Sequence, residues 1–198
     1  MRGDRTAGAA GVWQQLLLAC ALVLGLLSQA SADALDGTLE VRSAYVTVDN
    51  GVYQLSARMA YPVNDEIRGA LKDGVSLSFD LEAQVQKQRR YWTNATTVDI
   101  TLRRELSWHA VTERYVVRDL ERGELGSYAT LDQALTAIGT VENWPVVVEP
   151  QLEPAASYEI GVRASIRRGN LSGALRALIW WSSSWQRSSE WYTWSLPR

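Results

Sequence analysis

Apolar and polar residues alternate along much of the chain, with the two-residue period of half-buried β-strands. The longest alternating run covers residues 75–86 and is predicted to be a strand with one face in the core and the other exposed to water. The apolar members of this run are Val75, Leu77, Phe79, Leu81, Ala83 and Val85.

A β-hairpin is predicted over residues 38–61, with Asn50 and Gly51 as the two central residues of a type I′ turn. Counting outward from this turn brings three apolar pairs onto one face. These pairs are Val48 with Tyr53, Val46 with Leu55, and Ala44 with Ala57. Val41 and Leu39 fall in the opposite phase, and a β-bulge near Ser43 would return them to the core.

Two short helices are predicted between strands. Asn64 is a capping residue for a helix over 64–72 that stops at Gly74, and Thr130 opens a second helix that closes at Gly139. Further strands are predicted over 98–108, 115–120, 146–148, 158–166 and 188–196, with a turn over 122–127 and a helical turn or two within 171–181. Arg104 is the one charged residue in the apolar phase of its strand, so either a bulge removes it or it is paired inside.

These elements predict a mainly β protein, because seven or eight strands have hairpin-like spacings and strands do not alternate regularly with helices. The expected fold is an antiparallel β-sandwich, immunoglobulin-like or similar, with two short helical insertions, after an N-terminal signal helix. Residues 33–198 are expected to form this single domain. The sequence has no Gly-rich phosphate loop.

Residues 1–32 resemble a secretory signal peptide. An apolar run over 16–27 is followed by the A-x-A pattern of Ala30, Ser31 and Ala32. Twelve helical residues rise about 18 Å, which is short of the roughly 30 Å hydrocarbon core of a membrane. We therefore expect a periplasmic or otherwise exported protein. The alternatives are an inner-membrane anchor formed by residues 12–27 and, less well supported, a lipoprotein attached through Cys20.

The charge balance and the shortage of reactive side chains exclude several classes of function. The chain has 20 Lys and Arg against 22 Asp and Glu, and the dispersed charges form no basic face for nucleic acid. Cys20 is the single cysteine and His109 the single histidine, so a thiolate or multi-histidine metal site is not expected in the exported part. No cofactor or metal is predicted, and this shortage favours binding over catalysis.

Several segments, in this order, resemble a family of exported proteobacterial proteins known as domain of unknown function 4390. The segments are RSAYVTVDNGVYQLSARMAYPVNDEI (42–67), GVSLSFDLEAQVQKQRRYW (74–92), RYVVRDL (114–120), TLDQAL (130–135) and SSEWYTW (188–194). The resemblance brings no catalytic residues. It implies an envelope location and gene neighbourhoods that contain a sensor histidine kinase of the nitrogen-regulation type.

Two arrangements are candidates for catalysis. His109 titrates near neutral pH and is the natural general base, but it lies in the polar phase of its strand with no nucleophile-elbow motif in the sequence. Asp80 and Glu82 share one strand face, at the spacing of a glycosidase carboxyl pair. Both arrangements are interpreted as exposed strand residues, and no catalytic residue is predicted.

Aromatic and arginine residues are the candidates for binding. In the last strand Trp191 is predicted to point to one face and Tyr192 and Trp194 to the other, with Glu190 on their side. These aromatic residues either fill the core in place of phenylalanine or form an exposed strip. The full candidate set is Arg89, Arg90, Trp92, Glu190, Trp191, Tyr192 and Trp194.

The sequence thus predicts a periplasmic, non-enzymatic binding or interaction module, accessory to an envelope sensor kinase system. One alternative is a carbohydrate- or peptidoglycan-binding module, and a less favoured one is an enzyme of the glycoside hydrolase kind. The expected partner is an envelope protein or a cell-wall component. No nucleic acid is expected, and membrane contact is expected only through an uncleaved signal segment.

Overall fold

The computed structural model describes residues 38–62, 64–89, 94–169 and 186–197. The predicted signal segment and the predicted helical turns within 171–181 lie outside these residues. Among the described residues, no helix is long and apolar enough to cross a membrane. The strands are β1 (Glu40–Asp49), β2 (Val52–Ala60), β3 (Leu77–Lys87), β4 (Ala95–His109), β5 (Arg114–Asp119), β6 (Leu125–Tyr128), β7 (Thr140–Val148), β8 (Tyr158–Arg168), β9 (Gln186–Ser188) and β10 (Tyr192–Ser195), and the helices are α1 (Asp65–Lys72) and α2 (Leu131–Ile138).

The strands form two antiparallel sheets. The small sheet has the order β1-β2-β7, and the large sheet has the order β10-β8-β3-β4-β5-β6, with β9 also paired to β8. Side chains from both sheets and both helices belong to one hydrophobic core, which includes Leu55, Phe79, Ile160, Ile67 and Ile138. The predicted mainly β fold, an antiparallel sandwich with two short helices, is confirmed.

The first hairpin has the predicted register. Val48 pairs with Tyr53, and the pairing shifts between Val41 and Ser43, where the bulge was expected. Asn50 and Gly51 have φ angles of 50° and 76°, as a type I′ turn requires. The local turn therefore determines which face of this hairpin enters the core.

Both helices begin at their predicted caps. The side-chain oxygen of Asn64 accepts a hydrogen bond of 2.8 Å from the backbone N–H of Ile67. The hydroxyl of Thr130 likewise accepts a hydrogen bond from the N–H of Gln133, at 3.2 Å. Each cap satisfies a backbone donor that the first turn of a helix leaves without a partner.

Two predictions about local structure are wrong. The segment predicted as a turn over 122–127 contains part of strand β6, which pairs with β5. The predicted final strand is divided into β9 and β10. Ser188 pairs with Ser165 and Tyr192 with Val162, so that three residues stand opposite two of β8. The extra residue forms a β-bulge at the edge of the large sheet.

Candidate functional site

The outer face of the large sheet, opposite the core, carries a network of polar and charged side chains. The sequence predicted this face of β3 to be exposed to water, and the structure corrects that prediction. Ser78 and Asp80 are only 7% and 6% exposed, respectively. They are buried because β3 lies between β4 and β8, and arginines of both neighbouring strands contact Asp80.

Asp80 joins two guanidinium groups. One carboxylate oxygen accepts a hydrogen bond of 3.0 Å from Nε of Arg103, and the other lies 2.8 Å from Nη2 of Arg167. The hydroxyl of Ser78 is 3.3 Å from the carboxylate. The hydrogen bond and charge of Asp80 raise the pKa of the Arg103 guanidinium. Charge-assisted hydrogen bonds of this kind hold the centre of the outer face in one arrangement.

A third ion pair on this face lies next to Trp191, the residue before β10. Nη2 of Arg163 on β8 lies 2.6 Å from the Glu82 carboxylate on β3. The guanidinium carbon of the same arginine lies 4.6 Å from the centre of the Trp191 ring. Arg163 therefore contacts a carboxylate and an aromatic ring, an arrangement that combines an ion pair with a cation–π interaction.

The glycosidase alternative rests on the carboxyl groups of Asp80 and Glu82. In such an enzyme one carboxyl group protonates the leaving group while the other activates water or attacks the sugar. Asp80 is held by Arg103 and Arg167, and Glu82 is held by Arg163. Both carboxylates are therefore engaged in ion pairs within the sheet.

Trp191 forms one wall of a depression on the outer face. Its ring passes over Gly161 of β8, where a Cβ atom would lie 3.2 Å from Cε3 of the indole and 3.1 Å from Cγ2 of Thr193. Glycine allows the ring to approach the strand this closely. The depression has a volume of about 250 Å³, and its other walls are Gln84, Gln86, Glu159, Gly161 and Thr193.

Tyr192 and Trp194 lie on the other face of the sheet, as the alternation predicted. They pair with Val162 and Ile160, whose side chains are in the core. Trp194 packs against that core, whereas Tyr192 is 41% exposed, and their rings are in edge contact with centres 5.6 Å apart. Of the two roles predicted for these aromatic residues, Trp194 therefore fills the core and Tyr192 is exposed.

Among the described residues, neither Arg89 nor Glu190 lines the Trp191 depression. Arg89 is exposed just beyond the end of β3, and Glu190 is exposed beside the bulge. The hydroxyl of Ser189 donates a hydrogen bond of 2.8 Å to the carbonyl oxygen of Glu190. Arg90 and Trp92 lie outside the described residues.

His109 is at the exposed end of β4, where Nδ1 lies 3.0 Å from the hydroxyl of Thr112. This contact is local to the β4–β5 turn. In the described part of the chain, no group of three or more His, Cys, Asp or Glu side chains is arranged to hold a metal ion.

Sequence reasoning missed most of the residues around Trp191. Gly161, Arg163 and Gln84 reach it from β8 and β3, and their proximity depends on strand pairing between distant segments. The one signal in the sequence was a glycine within the alternating pattern of residues 158–166, since an isolated glycine in a strand often marks a close approach.

Comparison with known proteins tests the resemblance suggested by the sequence motifs. No curated protein and no solved structure matches the chain. A family model described as "Domain of unknown function (DUF4390)" matches residues 36–195, which are well over half of the chain. The chain therefore belongs to the DUF4390 family.

Proposed function

We propose that this protein is an exported, non-enzymatic binding module that binds a component of the bacterial cell envelope through the outer face of its large sheet. The depression at Trp191 favours a saccharide of the cell wall as that component. The observation that carries this proposal is the position of the Trp191 ring, which forms a wall of a depression that also contains amide and carboxylate side chains.

A sugar ring has an apolar face of C–H groups and an edge of hydroxyl groups. An indole ring can contact the apolar face, while Gln84, Gln86 and Glu159 can exchange hydrogen bonds with the hydroxyls. The volume of about 250 Å³ is below the roughly 300–1,000 Å³ of pockets that enclose drug-sized ligands. A depression of this size suits one or two units of a longer chain.

Titration with soluble peptidoglycan fragments tests this function. The intrinsic tryptophan fluorescence of the protein should change in a saturable manner. Trp191→Ala should weaken binding by about 30-fold or more, the usual effect of removing a central aromatic contact. Tyr192→Ala is the matched control, because the neighbouring side chain lies on the opposite face, and its affinity should remain within about twofold. Equal losses of affinity in the two variants would refute the assignment of saccharide binding to the outer face.

Tyr192 supports a second candidate function, the binding of an envelope protein at the sheet edge. The residue is 41% exposed on β10, the edge strand of the large sheet. Exposed aromatic residues are frequent anchors of protein interfaces. A pull-down from envelope extracts distinguishes the candidates, since Tyr192→Ala would lose a protein partner that Trp191→Ala retains. Recovery of the sensor kinase would support the accessory role implied by the family resemblance.

The proposed location rests on residues 1–32 and is tested separately. Cell fractionation should recover the protein from the periplasm with Asp33 as its first residue. Retention of the intact N-terminus in the inner membrane would instead favour the anchor alternative.

A further inference from the structure

A cavity of about 550 Å³ lies where the two sheets and the β7–β8 loop meet. Its walls include Tyr53 from β2 of the small sheet and Tyr158 from β8 of the large sheet. Leu152 of the loop and Leu196 beyond β10 add aliphatic surface. This volume is within the range of pockets that enclose small organic ligands. None of these residues contributes to the Trp191 depression.

The walls of the cavity are held by hydrogen bonds. The hydroxyl of Tyr158 accepts a hydrogen bond of 2.9 Å from the backbone N–H of Glu153, and its carbonyl oxygen accepts another of 2.9 Å from the N–H of Leu196. Tyr53 and Tyr158 are each only 7% exposed. The aromatic walls are thus fixed before a ligand arrives, which lowers the entropic cost of binding.

Two carboxylates give the cavity a negative charge. Glu149 and Glu153 are both exposed at its lining, and no basic residue lines it in the part of the chain that the structure describes. Lys87 forms an ion pair with Glu153 from outside the lining. The ammonium group balances one of the two carboxylates, and a cationic ligand would neutralise the other.

Glu149 is positioned by the first hairpin. Its backbone N–H donates a hydrogen bond of 2.8 Å to the carbonyl oxygen of Gly51. Its carboxylate oxygen Oε2 lies 3.3 Å from the place that a Cβ atom on Gly51 would occupy. The turn before β2 and the β7–β8 loop together place this carboxylate next to the apolar walls.

We propose that this cavity is a second binding site, for an organic ammonium ion with an apolar body. The apolar body packs against Tyr53, Tyr158 and Leu152, and the ammonium group pairs with the carboxylate of Glu149. Apolar burial supplies contact area, while the charge selects amines over acids of the same shape. This site is separate from the saccharide-binding depression proposed above and does not depend on it.

A matched pair of probes tests the site. Phenethylammonium and 3-phenylpropionate have similar apolar bodies and opposite charges. In NMR titrations of the full chain, phenethylammonium should shift amide signals around Tyr53 and Tyr158 saturably and bind about tenfold or more tightly than 3-phenylpropionate. Equal affinity of the two probes, or no saturable shift at these residues, would overturn the proposal.

Two charge variants should act in opposite directions. Glu149→Gln should weaken phenethylammonium binding by about threefold to tenfold, the range expected of a partly exposed charge pair. Lys87→Met should strengthen the binding, because it releases Glu153 from a competing cation. Glu149 is exposed, and at the half-buried Lys87 methionine keeps most of the aliphatic chain, so folding should persist. A decrease in both variants would contradict the electrostatic assignment. Peptidoglycan binding is tested with other ligands and residues, so either proposal can fail alone.

Discussion

Nη1 of Arg104 donates a hydrogen bond of 2.9 Å to the carbonyl oxygen of Ile138, the last residue of α2. The same nitrogen lies 3.0 Å from the carbonyl oxygens of Ala137 and Thr140, and Nε lies 3.5 Å from the carboxylate of Asp119. The helix has no basic residue in its own last turn. A cation from the large sheet therefore meets the negative end of the helix dipole. The sequence left two alternatives for Arg104, removal by a bulge or pairing inside the protein, and the structure shows the pairing.

Substitution of Arg104 by methionine should lower the free energy of unfolding by about 2–4 kcal/mol, because the buried Asp119 carboxylate loses its half-buried cation and helix carbonyls lose a donor. Asp119 also accepts hydrogen bonds from the N–H groups of Glu121 and Arg122, which limits the loss. Denaturant unfolding measures the change. Arg118→Met, at an exposed position of β5, is the control and should change stability by no more than about 0.5 kcal/mol. Similar losses in both variants would contradict the capping role.

Tyr61 should make stability decrease at alkaline pH. Burial raises the pKa of its hydroxyl, Arg104 lowers it to a smaller extent, and Asp80 raises it. In the unfolded chain the proton leaves near pH 10, before it leaves the folded protein, so the free energy of unfolding falls as pH rises above 10. The slope due to this residue approaches about 1.4 kcal/mol per pH unit.

Unfolding curves at pH 9, 10 and 11 for the natural protein and Tyr61→Phe measure this dependence. The variant should lose less stability over this range, and Tyr45→Phe, at an exposed position, should behave as the natural protein does. Parallel curves for all three proteins would exclude a contribution from Tyr61.

Two glycine substitutions should have opposite effects. Gly69 is in the interior of α1 and a Cβ atom there would meet nothing within 4 Å, so Gly69→Ala should stabilise the protein by about 0.5–1 kcal/mol. Gly74 also has open space around it, but its φ angle is +87°, so Gly74→Ala should destabilise by about 1 kcal/mol. Thermal unfolding of each variant shows whether its midpoint temperature rises or falls. Stabilisation by both substitutions would show that the backbone at Gly74 relaxes.

Gly161→Ala should disturb the candidate saccharide site without removing its aromatic ring. The added methyl group would press on Trp191 and Thr193, which must move by a few tenths of an ångström. We expect peptidoglycan affinity to fall by about threefold to 30-fold, no more than in Trp191→Ala. Gly69→Ala, in helix α1 and outside the lining of the depression, is the control and should bind normally. Unchanged affinity in Gly161→Ala would mean that the contact between Trp191 and β8 is not required.

Features that depend on neighbouring residues were predictable from the sequence. The hairpin register follows from the turn at Asn50 and Gly51, because a two-residue loop determines which residues face each other. The caps at Asn64 and Thr130 act on backbone groups three residues away. Alternation also separated Trp191 from Tyr192, since adjacent side chains of a strand point to opposite faces.

The burial of Asp80 depended on distant segments. Its partner Arg103 belongs to the next strand in sequence, but Arg167 belongs to β8, which enters the sheet beside β3 after four intervening strands. A pattern of alternating residues describes one strand and leaves its neighbours undetermined. For the same reason the sequence placed Asp80 and Glu82 on an exposed face, and the structure places both in ion pairs.

The sequence by itself determined the β class, the first hairpin, the two helix starts and the membership of the family, because each depends on local patterns or ordered motifs. The tertiary structure decided the order of the strands, the pairing of Arg104 inside, the approach of Trp191 to Gly161 and the cavity between Tyr53 and Tyr158. These features require segments far apart in the chain to pack together, and many pairings of strands would satisfy the same alternation. Close packing of the shared core selects one of them.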